Sequence, residues 1–100
     1  MKYIKKNEFR RNNSKEYTGH PTYIYAQVGN EFIFVGTTHA KITDGIENIQ
    51  LERNPNPKDK RPSYMRPFAD KKHKSSFGKK LKGWKLTEND KKKALKLKIK

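Results

Sequence analysis

Residues Thr22–Val28 and Glu31–Val35, which read Thr-Tyr-Ile-Tyr-Ala-Gln-Val and Glu-Phe-Ile-Phe-Val, decide the fold of this chain. Both runs are rich in aromatic and β-branched residues, which favour strands. Gly29-Asn30 separates them, and a glycine at the first turn position suits a type II′ hairpin. Because both faces of each strand carry apolar side chains, we expect the hairpin to lie in a barrel or beneath a covering element.

Two further elements are predicted downstream of this hairpin. Asn48–Arg53 alternates apolar and polar residues, which predicts a third strand with Ile49 and Leu51 facing inward. Thr87 is followed by acidic residues, as is typical of a helix N-cap, and it predicts a helix over roughly residues 88–95.

Other parts of the C-terminal half carry weaker signals. Ser75 or Ser76 can cap a short helix that runs through Phe77 and Leu81. Leu95–Lys100 alternates with period two, which fits a strand better than a helix.

The remaining segments are predicted to be irregular. Thr37–Ile46 is expected to be a loop, and a long basic loop is expected from Lys58 to Lys74 because prolines interrupt any ladder before it. Residues 1–18 lack apolar periodicity and are expected to be a loosely held basic arm. We therefore predict one mainly β (α+β) nucleic-acid-binding domain over residues 19–100, a small, partly open barrel with a short C-terminal helix.

Composition identifies the kind of partner. The chain has 100 residues, of which 31% are hydrophobic and 11% aromatic, so a single domain must build a small core from large rings. The formal net charge is +15, and residues 58–100 carry 17 Lys and Arg against 4 Asp and Glu. Nucleic acid is the favoured partner because each neutralised phosphate releases counterions, and we expect RNA rather than DNA.

Several function classes are excluded or disfavoured. The chain has no cysteine, which excludes disulfides and thiolate metal sites, and its three histidines and few carboxylates predict no metal site and no cofactor. The basic start Met1–Lys6 leads into no apolar run, so neither a signal peptide nor a membrane helix is expected. The expected location is the cytoplasm.

Two histidines flank the predicted hairpin. His20 precedes Pro21 at the start of the first strand, and Thr37-Thr38-His39 follows the second. An imidazole titrates near neutral pH and can move a proton, and strand ends hold side chains firmly. The alternative is a surface histidine at a strand start and a polar turn after a hairpin.

The stretch Lys58–Pro67 interleaves four cations, one tyrosine and two prolines. Arg61 and Arg66 suit bidentate phosphate binding, and Tyr64 can stack on an unpaired base, although such a stretch can also be a solvated basic loop.

Trp84 lies among four lysines. We expect it to pack on the sheet, because so small a core needs its tryptophan. The predicted nucleic-acid-binding residues are Lys58, Lys60, Tyr64, Lys71, Lys72, Lys79, Lys80, Lys82 and Lys85.

These residues fit RNA cleavage without a metal ion. In that chemistry the 2′-hydroxyl attacks its own phosphate, one side chain takes its proton and another protonates the leaving oxygen. A cation stabilises the developing charge. His20, His39, Arg61 and Arg66 suffice for these roles if the fold brings them together.

Gly19–Tyr25 followed by Phe34–His39 resembles the opening of the MazF/PemK/Kid family of toxin endoribonucleases, over about residues 19–40. In that family a basic residue and a proline lead into an apolar strand, and a later strand ends in a Pro-(Ile/Leu)-Thr-Ser type step. The resemblance implies an SH3-like barrel, metal-independent cleavage of single-stranded RNA, dimerisation and an acidic antitoxin partner. It gives Thr38 the role of the polar residue at the strand end, whereas His20 stands where the family has arginine.

Three function classes stay open at this point. The first is a single-stranded RNA-binding protein with endoribonuclease activity. The second is a non-catalytic nucleic-acid-binding module, either ribosome-associated or carried by a mobile element. The third is a basic inhibitor or adaptor that clamps an acidic protein. None of them predicts a membrane partner, and the oligomeric state stays open.

Overall fold

A computed structural model describes residues 4–100. Its strands are β1 (Glu8–Asn12), β2 (Pro21–Val28), β3 (Glu31–Thr38), β4 (Ile42–Thr43), β5 (Ile46–Glu47), β6 (Ile49–Gln50), β7 (Tyr64–Met65), β8 (Asp70–His73) and β9 (Phe77–Lys80). A 3₁₀ turn, Lys74–Ser76, joins β8 to β9, and one helix, α1 (Glu88–Leu95), follows.

The predicted hairpin is confirmed. Val28 of β2 lies opposite Glu31 of β3, so two residues make the connection. Gly29 has a φ of +60°, as the first position of a type II′ turn requires. The second strand is longer than predicted, because β3 continues to Thr38. This extension brings the predicted polar turn onto the end of a rigid strand.

The main sheet is built around the β2–β3 hairpin. Four antiparallel strands, β1, β2, β3 and β8, pair with their neighbours in that order. After the 3₁₀ turn the chain returns, and β9 pairs with the free edge of β1. Among residues 4–100 no ladder joins β8 to β9, so the barrel stays partly open. The predicted mainly β fold with a short C-terminal helix is confirmed.

The expectation of a loosely held segment before residue 19 is corrected by β1. This strand lies between β2 and β9, and its Phe9 is fully buried. Glu8 and Arg10 are also buried, because they pair with each other at 3.3 Å and the guanidinium of Arg10 donates to the carbonyl of Gly78 at 2.9 Å. Apolar periodicity misses such a strand, since ion pairs replace apolar contacts on one of its faces.

The helix predicted through Phe77 and Leu81 is wrong. Phe77 is fully buried in β9 opposite Asn12, and the Leu81 amide donates to the carbonyl of Phe9 at 2.8 Å. The pairing of β9 with β1 and the burial of the Phe77 ring against Phe32 and Phe34 therefore outweigh a weak local helix signal. His73, rather than a serine, caps the short 3₁₀ turn by accepting from the Ser75 amide.

Two segments predicted as loops contain strands. The one after β3 holds the β4–β5 hairpin, which turns at Asp44-Gly45 with φ values of +50° and +76°. Asp-Gly with both φ angles positive is a typical type I′ turn. The segment from Lys58 to Lys74 contains β7 and β8, which pair with opposite ends of β3.

The third strand and the C-terminal helix are confirmed, although β6 has only two regular residues. Leu51 is buried and Ile49 half-buried, whereas Gln50 and Glu52 are exposed. Thr87 caps α1 by accepting from the Asp90 amide. Asp90 is fully buried, and its carboxylate accepts the Glu52 amide at 3.0 and 3.1 Å. This contact ties the helix to the end of the third strand.

Phe9 holds the main apolar cluster together. Its ring centroid lies 5.2 Å from that of Tyr23 and 5.7 Å from that of Trp84. We expect Phe9→Ala to lower the free energy of unfolding by about 3–5 kcal/mol, measured by urea denaturation. Val28→Ala, at a side chain that is 53% exposed, is the control and is expected to change it by less than about 0.5 kcal/mol. Equal effects of the two substitutions would contradict this assignment of the core.

Candidate functional site

A cleft of about 340 Å³ lies where β2 begins and β3 ends. His20 and His39 both line it, together with Thr38 and Trp84. The hydroxyl of Thr37 donates to the carbonyl of Pro21 at 2.9 Å and ties the two strand ends together. The fold therefore brings both predicted histidines to one place.

The loop between β1 and β2 holds His20 at this cleft. Thr18 and Gly19 adopt φ values of +49° and +80°, so the chain reverses sharply just before His20. The His20 amide donates to the Tyr17 carbonyl at 2.9 Å, and its carbonyl accepts the Asn12 amide at 3.1 Å. The backbone at His20 is thus fixed on both sides, while the imidazole remains exposed.

Three contacts orient His39. Its Nδ1 lies 3.2 Å from the carbonyl oxygen of Pro62, which can only accept, so Nδ1 carries the proton in this contact. Its Nε2 lies 3.3 Å from Nη2 of Arg61 and 3.6 Å from a carboxylate oxygen of Asp59. A neutral His39 therefore has its lone pair on Nε2. When that nitrogen takes up a proton, the nearby Asp59 carboxylate stabilises the imidazolium.

Asp59 and Arg61 form a forked ion pair beside His39. Nε and Nη2 of Arg61 lie 3.1 and 2.8 Å from the carboxylate, and the Arg61 amide donates to it at 3.0 Å. The guanidinium and the amide of Arg61 hold the pKa of Asp59 well below its usual value. Part of the Arg61 charge is thereby neutralised, although the side chain is 70% exposed.

A second pocket, of about 240 Å³, adjoins the first. His20, Thr37 and Thr38 line both, so the two form one groove across the ends of β2 and β3. Arg66 lines the second pocket, where its guanidinium lies 4.9 Å from the ring centroid of Phe68. Of the two predicted arginines, Arg61 thus stands beside His39 and Arg66 in the adjoining pocket.

Tyr17 forms part of the second pocket and was not singled out from the sequence. Its hydroxyl donates to Asp70 at 2.7 Å, and its ring packs edge-on against Phe34 at 5.0 Å. Burial and the Asp70 carboxylate raise the pKa of Tyr17. Tyr17 therefore stays protonated and rigid across the neutral range.

No protein-family model, no curated protein and no solved structure matches this chain. In the described part of the chain, residues 4–100, no helix is both long and apolar enough to cross a membrane. In that range, no three His, Asp or Glu side chains are grouped so as to hold a metal ion. The relationship to a family stays a prediction.

Trp84 has the expected position in the core and also reaches the cleft. It packs against Phe9, as expected from the need for core, and its half-buried ring also lines the cleft beside His39. His73 lies elsewhere: it sits opposite Glu31, at the end of β3 away from Thr38. Two of the three histidines therefore meet.

The predicted nucleic-acid-binding residues are spread over several faces. Lys71 and Lys72 lie on β8, where they pair with Glu31 at 3.8 Å and Glu16 at 2.6 Å. Tyr64 is half-buried in β7 opposite Thr38. The remaining lysines of the set are exposed, as Lys71 also is: Lys58, Lys60, Lys79, Lys80, Lys82 and Lys85. Lys80 pairs with Glu8 at 3.5 Å.

Some of these lysines stand close to the cleft. Lys82 and Lys85 flank Trp84 in the chain, and the Lys85 amide donates to the carbonyl of Pro55 at 3.2 Å. This bond joins their segment to the loop that leads into Lys58 and Lys60. We name these four exposed lysines, which lie on the two joined segments, the basic rim.

The raised pKa of Tyr17 predicts an alkaline loss of stability. A pKa that is higher in the folded than in the unfolded chain leaves stability intact below about pH 10, the unfolded value, and removes it as pH rises toward the folded value. We expect the free energy of unfolding of Tyr17→Phe to fall less steeply than that of the parent between about pH 9 and 12, measured by urea denaturation at a series of pH values. Burial also raises the pKa of Tyr23, to about 12, and this residue causes the same alkaline loss of stability in both proteins. Parallel curves would contradict the assigned hydrogen bond to Asp70.

Proposed function

We propose that this protein binds single-stranded RNA in the groove across the ends of β2 and β3 and cleaves it as a metal-independent endoribonuclease. The observation that carries the proposal is that His20 and His39 line the same cleft, together with Thr38. Two imidazoles at one phosphate supply a base and an acid, the minimum that this reaction needs.

The proposed reaction is a transesterification within the RNA strand. The 2′-oxygen attacks the adjacent phosphorus while the base removes its proton. The bond from phosphorus to the 5′-oxygen breaks, and the acid protonates that oxygen as it leaves. The products are a 2′,3′-cyclic phosphate and a free 5′-hydroxyl. DNA lacks the nucleophile, so the chemistry is confined to RNA.

His39 suits the role of base. Its Nδ1–H is held by the Pro62 carbonyl, so Nε2 can accept the proton, and Asp59 at 3.6 Å stabilises the resulting charge. Arg61, which lies 3.3 Å from the same nitrogen, is paired with Asp59 but mostly exposed, so its guanidinium can also donate to a phosphate oxygen. His20, which reaches the cleft from the start of β2, is the proposed acid.

Thr38 and Arg66 are proposed to stabilise the charge that develops on the phosphate. The Thr38 hydroxyl oxygen accepts the Ala40 amide at 3.2 Å, which leaves its own proton free to donate. Arg66 lines the adjoining pocket next to Thr38 and supplies a fixed cation. Preorganised donors of this kind account for a large share of enzymatic rate enhancement.

Trp84 and the basic rim are proposed to bind the strand itself. A half-buried indole in a cleft is a stacking surface for an unpaired base, and exposed lysines beside it attract successive phosphates. The proposed location is the cytoplasm, where RNA is an abundant polyanion.

The proposal includes a relationship to the MazF/PemK/Kid class of toxins. It is supported by the small barrel, by Thr38 at the end of β3 and by the His20-Pro21 step that opens β2. An acidic antitoxin-like protein is the corresponding proposed partner, and its binding would cover the same basic groove. Histidine in place of the family's arginine makes the proposed acid–base pair particular to this chain.

The cleavage assay uses labelled single-stranded RNA in the presence of EDTA. The parent protein is expected to give discrete fragments with 2′,3′-cyclic phosphate ends. His39→Ala and His20→Ala are each expected to slow cleavage by about 100-fold or more while leaving RNA affinity nearly unchanged. His73→Ala removes the histidine that lies away from the cleft and is the matched control, which should keep full activity.

Two outcomes would sink the nuclease proposal. One is RNA that remains intact at every protein concentration tested. The other is cleavage that survives both cleft substitutions, which would indicate a contaminating nuclease. Intact RNA that nevertheless binds would leave the non-catalytic binding module as the function.

The electrostatic part of the proposal is tested by salt dependence. Lys82→Ala/Lys85→Ala removes two charges from the basic rim, and we expect it to lower the slope of log affinity against log salt concentration by about 1.4 for single-stranded RNA. Lys71→Ala/Lys74→Ala removes two charges from the β8 side, at the other end of β3, and should change the slope less. Affinity would be measured by fluorescence anisotropy. An equal decrease of the slope in both double variants would indicate diffuse electrostatic attraction rather than binding along the basic rim.

A further inference from the structure

The β4–β5 hairpin supplies one wall of the second pocket. Thr43 and Asp44 line the pocket, and Asp44 occupies the first position of the turn with a φ of +50°. The adjacent Gly45 has a φ of +76°, so both turn residues adopt the conformation of a type I′ turn. The backbone of Asp44 is therefore held at the pocket by a short, well-defined turn.

Asn48 fixes this hairpin relative to Arg66. Its side chain is buried, and its amide nitrogen donates to the Ala40 carbonyl at 3.0 Å and to the Thr43 hydroxyl at 2.8 Å. Its side-chain oxygen accepts from Nη1 of Arg66 at 2.6 Å. One buried amide thus holds the hairpin wall and the cation of the pocket in a fixed relation.

Two carboxylates line the pocket, Glu16 and Asp44, and they differ in whether other side chains already bind them. Glu16 is bound by Lys72 at 2.6 Å and by Lys100 at 3.3 Å, which lower its pKa. Asp44 forms no hydrogen bond or ion pair with any residue from 4 to 100. Its exposed carboxylate is therefore free to accept hydrogen bonds from a bound molecule.

The other groups of the pocket suit a nucleobase. Phe68 lines the pocket, and its ring centroid lies 4.9 Å from the Arg66 guanidinium and 5.1 Å from the Lys100 ammonium, so the planar guanidinium is a further surface on which a base can stack. The volume of about 240 Å³ is below the range of about 300–1,000 Å³ that is usual for drug-sized ligands, so the pocket fits a small planar group. Unpaired RNA bases bind in this way, stacked on rings and hydrogen-bonded along their edges.

A carboxylate distinguishes the four bases by their donors. It accepts two parallel hydrogen bonds only where two donors are adjacent, and guanine alone has such a pair, N1–H and the N2 amino group. Adenine and cytosine place a ring acceptor next to their amino group, and uracil places its one N–H between two carbonyls. An acceptor-only group therefore favours guanine and repels the neighbouring acceptors of the other three.

We infer that the second pocket binds a guanine of single-stranded RNA and that the Asp44 carboxylate recognises its N1–H and N2 amino edge. The inference rests on the proposed function for the presence of RNA and deepens it by naming the base. Because His20 and Thr38 line both pockets, the phosphate next to this guanine lies at the proposed acid. Cleavage is therefore directed to a phosphate that adjoins guanosine.

The first experiment measures binding without cleavage. Guanosine, adenosine, cytidine and uridine 3′-monophosphates are titrated separately, and affinities are read from NMR chemical shifts. The parent protein should prefer the guanosine nucleotide. Asp44→Asn keeps the size of the side chain and tolerates the positive φ. It should lower the affinity for the guanosine nucleotide by about 10-fold and leave the affinity for the adenosine nucleotide nearly unchanged. Glu47→Gln, on the same hairpin but outside the pocket lining, is the matched control.

The second experiment maps cleavage sites on a mixed-sequence RNA with the parent and Asp44→Asn proteins. Cuts beside guanosine that lose this preference in the variant support the inference. Equal affinity for all four nucleotides, or cuts without base preference, overturns it while the proposed nuclease stands. Guanosine-selective binding without any cleavage supports the inference and rejects the nuclease, so the two failures are distinguishable.

Discussion

The contact of Phe9 with Tyr23 and Trp84 supports both the core and the candidate site. Phe9 comes from β1, Tyr23 from β2 and Trp84 from the segment before α1, so the three rings join distant parts of the chain. The chain has few apolar residues, and each ring therefore buries area that nothing else can supply. Because Trp84 also lines the cleft, the same packing that stabilises the barrel holds the wall of the site.

A second constraint is the shortage of carboxylates, ten against 25 Lys and Arg. Two of these carboxylates each contact two cations: Glu8 contacts Arg10 and Lys80, and Glu16 contacts Lys72 and Lys100. Asp59 contacts Arg61 and the imidazole of His39. Most of the negative charge is thus neutralised by contacts within the fold. The exposed lysines keep their charge for an external anion, and a carboxylate without a partner, such as Asp44, stands out.

Local signals in the sequence predicted the local elements correctly. The β2–β3 hairpin, the Thr87 cap and the inward side chains Ile49 and Leu51 depend on neighbouring residues, and the structure confirms them. The strands β1 and β9 were missed because their stability comes from a pairing between residues far apart in sequence and from buried ion pairs. The Asp44-Gly45 turn, by contrast, carried a clear hairpin signal within a segment that was predicted as a loop.

The register of that first hairpin explains why His20 and Thr38 line the same cleft. A two-residue turn that sets Val28 opposite Glu31 would place His20 opposite His39 if the ladder stayed regular. The register shifts between Ile24 and Ala26, so Thr22 faces Gly36, and the same register continued by two residues brings His20 level with Thr38. Residues level with each other on antiparallel strands point to the same face. His20 and Thr38 accordingly line the same two pockets, and His39 follows one residue later with its imidazole 3.6 Å from Asp59. Bulges are common beside functional sites because an inserted residue can re-aim a side chain at the end of a strand.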